Sequence, residues 1–148
     1  MLKHAIAVLA LTFALSAGNV SAQALTVESA WTNQSGSTLY IEDIDSEGKL
    51  TGFYINRAQG YRCQNTPYPV TGWVLGNNIT FTVKWENTSE NCQSLTAWAG
   101  YLGRDLRITT RWYLTYQNQI TTGTDIFTRT AQTTSPSLVP TTPPTQRE

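Results

Sequence analysis

The chain has 148 residues, and its ten Lys and Arg balance ten Asp and Glu, so the formal net charge is zero. This length fits one domain with one hydrophobic core. A neutral charge balance without basic clusters argues against nucleic acid as a partner.

The N-terminal residues predict a secretory signal peptide over residues 1–22. Lys3 and His4 precede an apolar run over residues 5–17, and small residues occupy the cleavage position at 20–22. The run is too short for a membrane helix, and no later apolar run approaches the required length of about 18 residues. We therefore expect a secreted protein, periplasmic or extracellular, with no membrane partner.

Thr and aromatic residues dominate the rest of the chain, since 23 Thr, 5 Trp and 7 Tyr follow residue 22. These residue types suit the pleated surface of a sheet, so the composition predicts an all-β fold. Turn signals divide the chain into eight predicted strands, over residues 28–32, 38–44, 49–56, 68–75, 79–85, 94–102, 106–115 and 125–130. Residues 116–124 are predicted to be a loop.

Short links between consecutive strands predict an eight-stranded antiparallel up-and-down β-barrel, the size that can enclose one small ligand. Alternation along the strands places hydroxyls and tryptophans together on the same faces. The residues that share such faces are Phe81, Val83, Trp85; Ser94, Thr96, Trp98, Gly100; and Thr110, Trp112, Leu114. A plain barrel core would favour Leu, Ile and Val there, because a buried hydroxyl without a partner costs about 1–3 kcal/mol.

The domain organisation follows from these elements. The barrel is expected to occupy residues 23–131. Residues 132–148 are rich in Thr, Ser and Pro and offer little to bury, so they are expected to form a disordered tail.

Two cysteines, Cys63 and Cys92, follow the signal peptide. Export would expose them to an oxidising compartment, where a bridge closing this loop would contribute about 3–4 kcal/mol. Two separate buried thiols are the alternative.

No catalytic motif is recognisable in the sequence. It has no nucleophile elbow, no P-loop and no paired-carboxylate motif, and its only His lies within the signal peptide. The chain is therefore expected not to be an enzyme and to hold no metal and no cofactor. A barrel with tryptophan walls and scattered polar groups is instead suited to an uncharged, compact, polar-headed ligand.

A set of ordered motifs resembles the avidin family, which comprises secreted biotin-binding barrels that include streptavidin. The motifs are Trp31-x-Asn33-Gln34-x-Gly36-Ser37-Thr38, Thr51-Gly52-x-Tyr54, Val83-x-Trp85, Ser94-x-Thr96-x-Trp98-x-Gly100, Trp112-x-Leu114 and Gly123-x-Asp125-x-Phe127. The stretches 56–60, 63–65, 67–69 and 90–92 resemble the dimeric bacterial branch, which includes rhizavidin.

The resemblance implies a role for each matching residue. Asn33, Ser37 and Tyr54 match the donors to the ureido oxygen of biotin. Asp125 matches the acceptor of one ureido N–H. Asn56 occupies the position where a Ser or Thr of the family often accepts the other ureido N–H.

The same resemblance implies the remaining ligand contacts. Thr96 matches the hydroxyl that meets the thioether sulfur. The side chains that match the apolar walls are Trp85, Trp98, Trp112 and Leu114. The residues expected near the valerate carboxylate are Ser94 and the loop residues Arg57, Ala58 and Gln59, up to Gly60. Trp31 and Trp73 are expected to be packing residues.

One departure from the family pattern bears on assembly. Tetrameric avidins supply a tryptophan to a neighbour's site from the loop before the last strand, and residues 116–122 contain none. We therefore expect a homodimer, with Tyr61 covering part of the gap from within the same chain.

The sequence thus predicts a high-affinity, non-covalent biotin-binding protein. One alternative is a secreted interaction or inhibitor protein that does not retain biotin, whose barrel opening is filled by its own side chains. A second is a hydrolase that uses Asp125 with another carboxylate, although the sequence offers no partner for it at a recognisable spacing.

Overall fold

Eight β-strands account for most of residues 25–90 and 92–130, which are the residues that this computed structural model describes. The strands are β1 (Ser29–Thr32), β2 (Thr38–Ile44), β3 (Lys49–Ile55), β4 (Pro67–Leu75), β5 (Asn78–Trp85), β6 (Ser94–Leu102), β7 (Arg107–Tyr116) and β8 (Gln119–Thr130). Within these ranges the structure has no helix, and so none that is long and apolar enough to cross a membrane. The predicted signal peptide and C-terminal tail lie outside the described residues.

Each strand pairs antiparallel with its neighbours in the sequence, and β1 also pairs with β8. The sheet therefore closes into a barrel through the short pairing of β1 with β8, which confirms the predicted architecture. Side chains alternate between its two faces: on β5, Phe81, Val83 and Trp85 point inward, and the residues between them are exposed.

The β7–β8 connection differs from its prediction. Residues 116–124 are not a loop: the chain turns at Gln117 and Asn118, both with positive φ (47° and 64°), and β8 begins at Gln119. A two-residue turn with both φ values positive matches the twist of a β-hairpin. The turn lacks the glycine that commonly marks such hairpins, so the sequence pattern did not predict it.

The turn between β2 and β3 shows a glycine that the fold requires. Gly48 has a φ of 86°, and a Cβ there would lie 2.3 Å from the carbonyl oxygen of Val74. Only glycine avoids both the left-handed strain and this clash. The turn is closed by hydrogen bonds between Asp45 and Gly48 and between Asp45 and Lys49.

The barrel interior has two parts. The end that holds turns 45–48, 76–77 and 103–106 is filled by apolar side chains at most 4% exposed, which we call the apolar half: Ile41, Leu50, Ile79, Leu102, Ile108 and Phe127. At the other end, which we call the open end, lie residues 33–37, 56–66, 86–93 and the turn 117–118. Every odd-numbered strand runs toward the open end.

A disulfide joins two of the loops at the open end. Cys63 in loop 56–66 and Cys92 in loop 86–93 are bridged, with their Cα atoms 6.1 Å apart. The predicted bridge is confirmed, and the alternative of two separate thiols was wrong. Both sulfurs are buried, so the bridge ties the two loops across the mouth of the barrel.

Candidate ligand-binding site

A cavity of about 410 Å³ opens at the open end of the barrel. Twelve of the fourteen residues predicted to bind the ligand line this cavity: Asn33, Ser37, Tyr54, Asn56, Ala58, Trp85, Ser94, Thr96, Trp98, Trp112, Leu114 and Asp125. They come from five strands and the adjoining loops. The barrel opening is therefore not filled by side chains of residues 25–90 and 92–130, unlike the alternative considered from the sequence.

Five polar side chains meet where the cavity borders the core, and we call them the polar floor: Asn33, Ser37, Tyr54, Asn56 and Asp125. All five are buried, each at most 8% exposed. None of their buried side-chain nitrogen or oxygen atoms lacks a hydrogen-bond partner. A buried polar group without a partner is costly, so this network also stabilises the fold.

The Asn33 side chain orders one part of the polar floor. Its Oδ1 accepts hydrogen bonds from the backbone N–H groups of Ser35 (3.0 Å) and Ser37 (2.9 Å), which fixes the β1–β2 turn. Its Nδ2 donates to the Tyr54 hydroxyl at 3.3 Å. Burial, followed by the nearby negative charge of Asp125, raises the pKa of Tyr54 far above its usual value, so the phenol keeps its proton and remains a donor.

Both oxygens of Asp125 accept a hydrogen bond. Trp98 Nε1 donates to Oδ2 at 2.9 Å, and Gln34 Nε2 donates to Oδ1 at 2.9 Å. Gln34 also accepts from the backbone N–H of Ile126 at 3.0 Å, so its amide joins the β1–β2 turn to β8. This role was not predicted, because Gln34 stands among residues typical of a turn.

Tryptophans form the walls of the cavity. The Trp85 indole donates to the Thr96 hydroxyl at 2.8 Å, and the Trp98 ring stacks on Phe81 at 4.8 Å between centroids. Gly123 lies opposite Trp112 on β8, where a Cβ would come within 2.3 Å of the indole ring. Glycine at this position therefore leaves room for the Trp112 side chain.

Two residues predicted to lie near the carboxylate do not line the cavity. The Arg57 guanidinium turns back to donate to the Gly36 carbonyl (3.2 Å) and the Thr38 hydroxyl (3.1 Å), and Gln59 is exposed. Arg57 still contributes its backbone N–H, which donates to Ser37 Oγ at 2.8 Å.

The rim contains residues that the sequence analysis did not assign to the site. Arg62, Tyr116, Gln119 and Thr121 line the cavity, together with Gly60 and the predicted Tyr61. Tyr116, Gln119 and Thr121 lie in residues 116–124, which were predicted to be a loop. With β8 starting at Gln119, alternation places Gln119, Thr121, Gly123 and Asp125 on one face, so a correct strand boundary would have identified them.

Several contacts besides the disulfide hold the mouth together. Asn87 Nδ2 donates to the Tyr68 hydroxyl at 2.6 Å and to the Cys63 sulfur at 3.1 Å. The Glu90 carboxylate accepts from the backbone N–H of Cys63. Loops 56–66 and 86–93 are thus joined by both covalent and hydrogen-bonded contacts.

The two remaining tryptophans lie away from the cavity. Trp31 is 3% exposed and donates to Ser29 Oγ, as expected of a packing residue. Trp73 does not line the cavity either, but it is 53% exposed on the outer face of β4 instead of packed as expected. Alternation places it outward because its strand neighbours, Gly72 and Val74, are the more buried residues.

The cavity is lined by tryptophans on its walls and by buried polar side chains on its floor, and it opens at the mouth of the barrel. Across the described ranges, no three His, Cys, Asp or Glu side chains are placed to hold a metal ion. The geometry suits a compact ring that carries a polar group at one end.

A family model and two individual relatives point to the same family. The model of the avidin family matches residues 21–130. Afifavidin from Afifella pfennigii is 44% identical over 109 residues, covering 69% of this chain and 68% of its own length. Hoefavidin from Hoeflea phototrophica is 38% identical over 125 residues, covering 75% and 76%.

Solved structures agree with these sequence matches. Apo shwanavidin aligns with a TM-score of 0.68 and 50% identity, covering 74% of this chain and all of the solved chain. The rhizavidin–biotin complex aligns with a TM-score of 0.69 and 45% identity, covering 76% of this chain and 99% of the solved chain.

Proposed function

The chain belongs to the avidin family of bacterial and other biotin-binding barrels, and on this premise we propose that it binds biotin non-covalently in the cavity at the open end. The family is non-enzymatic, and its ligand is not accompanied by a cofactor. The observation that carries the proposal is the polar floor: a buried set of donors and one carboxylate beneath tryptophan walls, in which each buried side-chain nitrogen or oxygen has at least one hydrogen-bond partner.

The polar floor suits the ureido group of biotin. The hydroxyl of Tyr54 accepts from Asn33, so its own hydrogen is free to be donated to the ureido oxygen. Ser37 and the second amide hydrogen of Asn33 supply two further donors. Asp125 accepts one ureido N–H, and three donors on the oxygen polarise the group in the direction that favours this bond.

Asn56 is proposed to accept the other ureido N–H. Its Oδ1 accepts from Ser37 over a long 3.4 Å contact and from the Ala58 backbone at 3.0 Å. When the Ser37 hydroxyl turns to the ureido oxygen, the long contact is released and Asn56 Oδ1 becomes available. Each of these polar groups then keeps a hydrogen-bond partner, which limits the free-energy cost of burying them.

The upper cavity suits the rest of the ligand. Thr96 already accepts from Trp85, so its hydroxyl hydrogen can face the thioether sulfur. The bicyclic ring lies among Trp85, Trp98, Trp112 and Leu114, and the carboxylate points to Ser94 and loop 56–66. Because the floor is ordered and the loops are tied, little ordering is needed on binding, which favours high affinity.

We further propose that the protein is secreted, with residues 1–22 removed as a signal peptide, a barrel over 23–131 and a tail from 132. The disulfide supports an oxidising compartment, either the periplasm or the extracellular medium.

We also propose a homodimer. Among the described residues, seven of the ten exposed large apolar side chains lie on the outer faces of β4, β6, β7 and β8: Trp73, Leu75, Leu95, Tyr101, Tyr113, Ile120 and Ile126. Ala97 and Ala99 lie between Leu95 and Tyr101 on the outer face of β6, with Tyr113 beside Ala97 on β7, and their small side chains allow close approach. A surface of this kind is typical of a protein–protein contact.

Titration calorimetry with biotin tests the ligand. We expect one biotin per chain, and Asp125→Ala should weaken binding by about 2–4 kcal/mol, or about 30- to 1,000-fold, because a buried charge-assisted bond is lost. Asp105→Ala removes the same charge from an exposed turn at the far end and serves as the control. Affinities of the Asp125 variant and the parent within a factor of two would show that Asp125 does not contact the ligand.

Light scattering after size exclusion tests the dimer. Ala97→Arg should produce monomers, because a charged side chain cannot be accommodated in an apolar contact. Asn77→Arg, in a turn at the far end, should leave the dimer intact. A monomeric parent would contradict the proposal.

A further inference from the structure

Only two of the residues lining the cavity carry a full charge, among those that the structure describes: Asp125 and Arg62. Asp125 belongs to the buried polar floor. Arg62 is exposed in loop 56–66, at the mouth of the cavity. The cavity therefore has a negative floor and a positive rim.

The two charges differ in how they are paired. Both oxygens of Asp125 are held by Gln34 and Trp98. The Arg62 guanidinium forms no hydrogen bond and no salt bridge with any residue in the described part of the chain. Arg57, in the same loop, has its guanidinium occupied by two oxygen atoms outside the cavity.

The backbone of Arg62 is nevertheless well fixed. Its carbonyl accepts from Asn56 Nδ2 at 3.1 Å, and the next residue, Cys63, is bridged to Cys92 and bonded to Glu90. The side chain thus starts from an anchored position, which reduces the entropy lost when it engages a ligand.

Two of the donors expected near the carboxylate are already used. The Ser94 hydroxyl donates to the Cys92 carbonyl at 2.7 Å, and the backbone N–H of Ala58 donates to Asn56 at 3.0 Å. A carboxylate can only accept hydrogen bonds, so it needs donors that are still free. The guanidinium offers five N–H groups in a geometry that matches a carboxylate.

From these observations we propose that Arg62 binds the carboxylate of the ligand and makes the site prefer the free acid to its neutral amide. The inference rests on the proposed function, since it takes biotin as the ligand. Because Arg62 is exposed, its contribution is moderate and sensitive to salt.

The test compares biotin with biotinamide, which differs only in carrying a neutral carboxamide. Dissociation constants are measured by competition for the parent, Arg62→Gln, Arg62→Lys and the control Arg104→Gln. Arg104 is exposed in the turn between β6 and β7, at the opposite end of the barrel, so its replacement changes the net charge equally.

We expect Arg62→Gln to weaken biotin binding about three- to tenfold and to leave biotinamide binding within about twofold. Arg62→Lys should retain part of the preference, and Arg104→Gln all of it. At about 1 M NaCl, where the Debye length is about 3 Å, the difference between parent and Arg62→Gln should shrink.

Equal weakening of biotin and biotinamide by Arg62→Gln would overturn the proposal, as would an effect no larger than that of Arg104→Gln. In either case a parent that binds biotin tightly would leave the proposed function intact. A parent that binds neither compound would overturn both.

Discussion

The two parts of the barrel interior are built from the same strands but from different residues. On β8, Phe127 is fully buried in the apolar half, and two residues earlier Asp125 belongs to the polar floor. On β7, the inward-facing Ile108 is followed two residues later by Thr110, a buried polar residue whose hydroxyl donates to the backbone carbonyl of Asp125. Alternation alone therefore decides which side chains point inward, and their chemistry decides whether that region packs or binds.

The two regions are also stabilised differently. In the apolar half, side chains at most 4% exposed fill the space, and the favourable term is hydrophobic burial with close packing. Around the cavity, hydrogen bonds hold the walls and floor in place while space is left open. Removing a side chain from the first region should reduce stability, and removing one from the second should reduce binding.

The largest expected effect is on the apolar half. Ile108→Ala should lower the free energy of unfolding by about 2–5 kcal/mol, because Ile108 is fully buried and a cavity would remain. The biotin dissociation rate of the folded protein should change little. Thr109→Ala, the neighbouring position on the other face of β7, should cost less than about 0.5 kcal/mol in a parallel denaturant titration. Faster ligand release from Ile108→Ala would show that the two regions are not separable.

The second largest effect is expected from the disulfide, which lies at the mouth of the cavity and links residues 29 positions apart in the sequence. The double variant Cys63→Ser, Cys92→Ser should lose up to about 3–4 kcal/mol of stability in the chain-entropy model. It should also release biotin faster, because loop 56–66 would no longer be held in its binding geometry. Melting temperature and dissociation rate are compared with those of the oxidised parent. A lower melting temperature with unchanged dissociation would limit the bridge to a structural role.

A smaller effect is expected from the hydrogen bonds beside the bridge. Asn87→Ala removes the contacts to Tyr68 and Cys63, which should cost about 1 kcal/mol and speed biotin release about fivefold. Asn77→Ala, in a turn at the far end, is the matched control. Dissociation rates are measured by displacement of labelled biotin. If both variants release biotin like the parent, the disulfide alone fixes the mouth.

The smallest effect is expected at the C-terminus. Truncation after Ala131 should leave the melting temperature unchanged, because residues 132–148 offer little apolar surface to bury. Scanning calorimetry of the full and truncated chains measures this. A clear drop would show that the tail contributes to the fold, and a slower or faster uptake of biotin would show that it reaches the site.

The sequence predicts most of this architecture because its signals are local. Alternation of Phe81, Val83 and Trp85, and turn signals such as Gly48, placed eight strands in the observed order. The ordered motifs identified the residues of the polar floor. The start of β8 was missed because Gln117 and Asn118 adopt positive φ without a glycine to mark it.

What the sequence did not predict depends on contacts between distant segments. Gln34 reaches β8 and binds Asp125, 91 residues away. Arg57 and Arg62 stand in one loop, yet the first turns outward to Gly36 and the second lines the cavity. Local sequence patterns do not predict the orientation of these side chains, because it depends on which acceptors the fold brings within hydrogen-bonding distance.

A crystal structure of the chain grown with biotin would test the central claim, that the polar floor is a ureido site. We predict that the ureido oxygen lies within hydrogen-bonding distance of Asn33, Ser37 and Tyr54, and that one ureido nitrogen faces Asp125. The ring should lie among the tryptophans. A biotin bound in another orientation, or a cavity that remains empty at saturating biotin, would contradict the account.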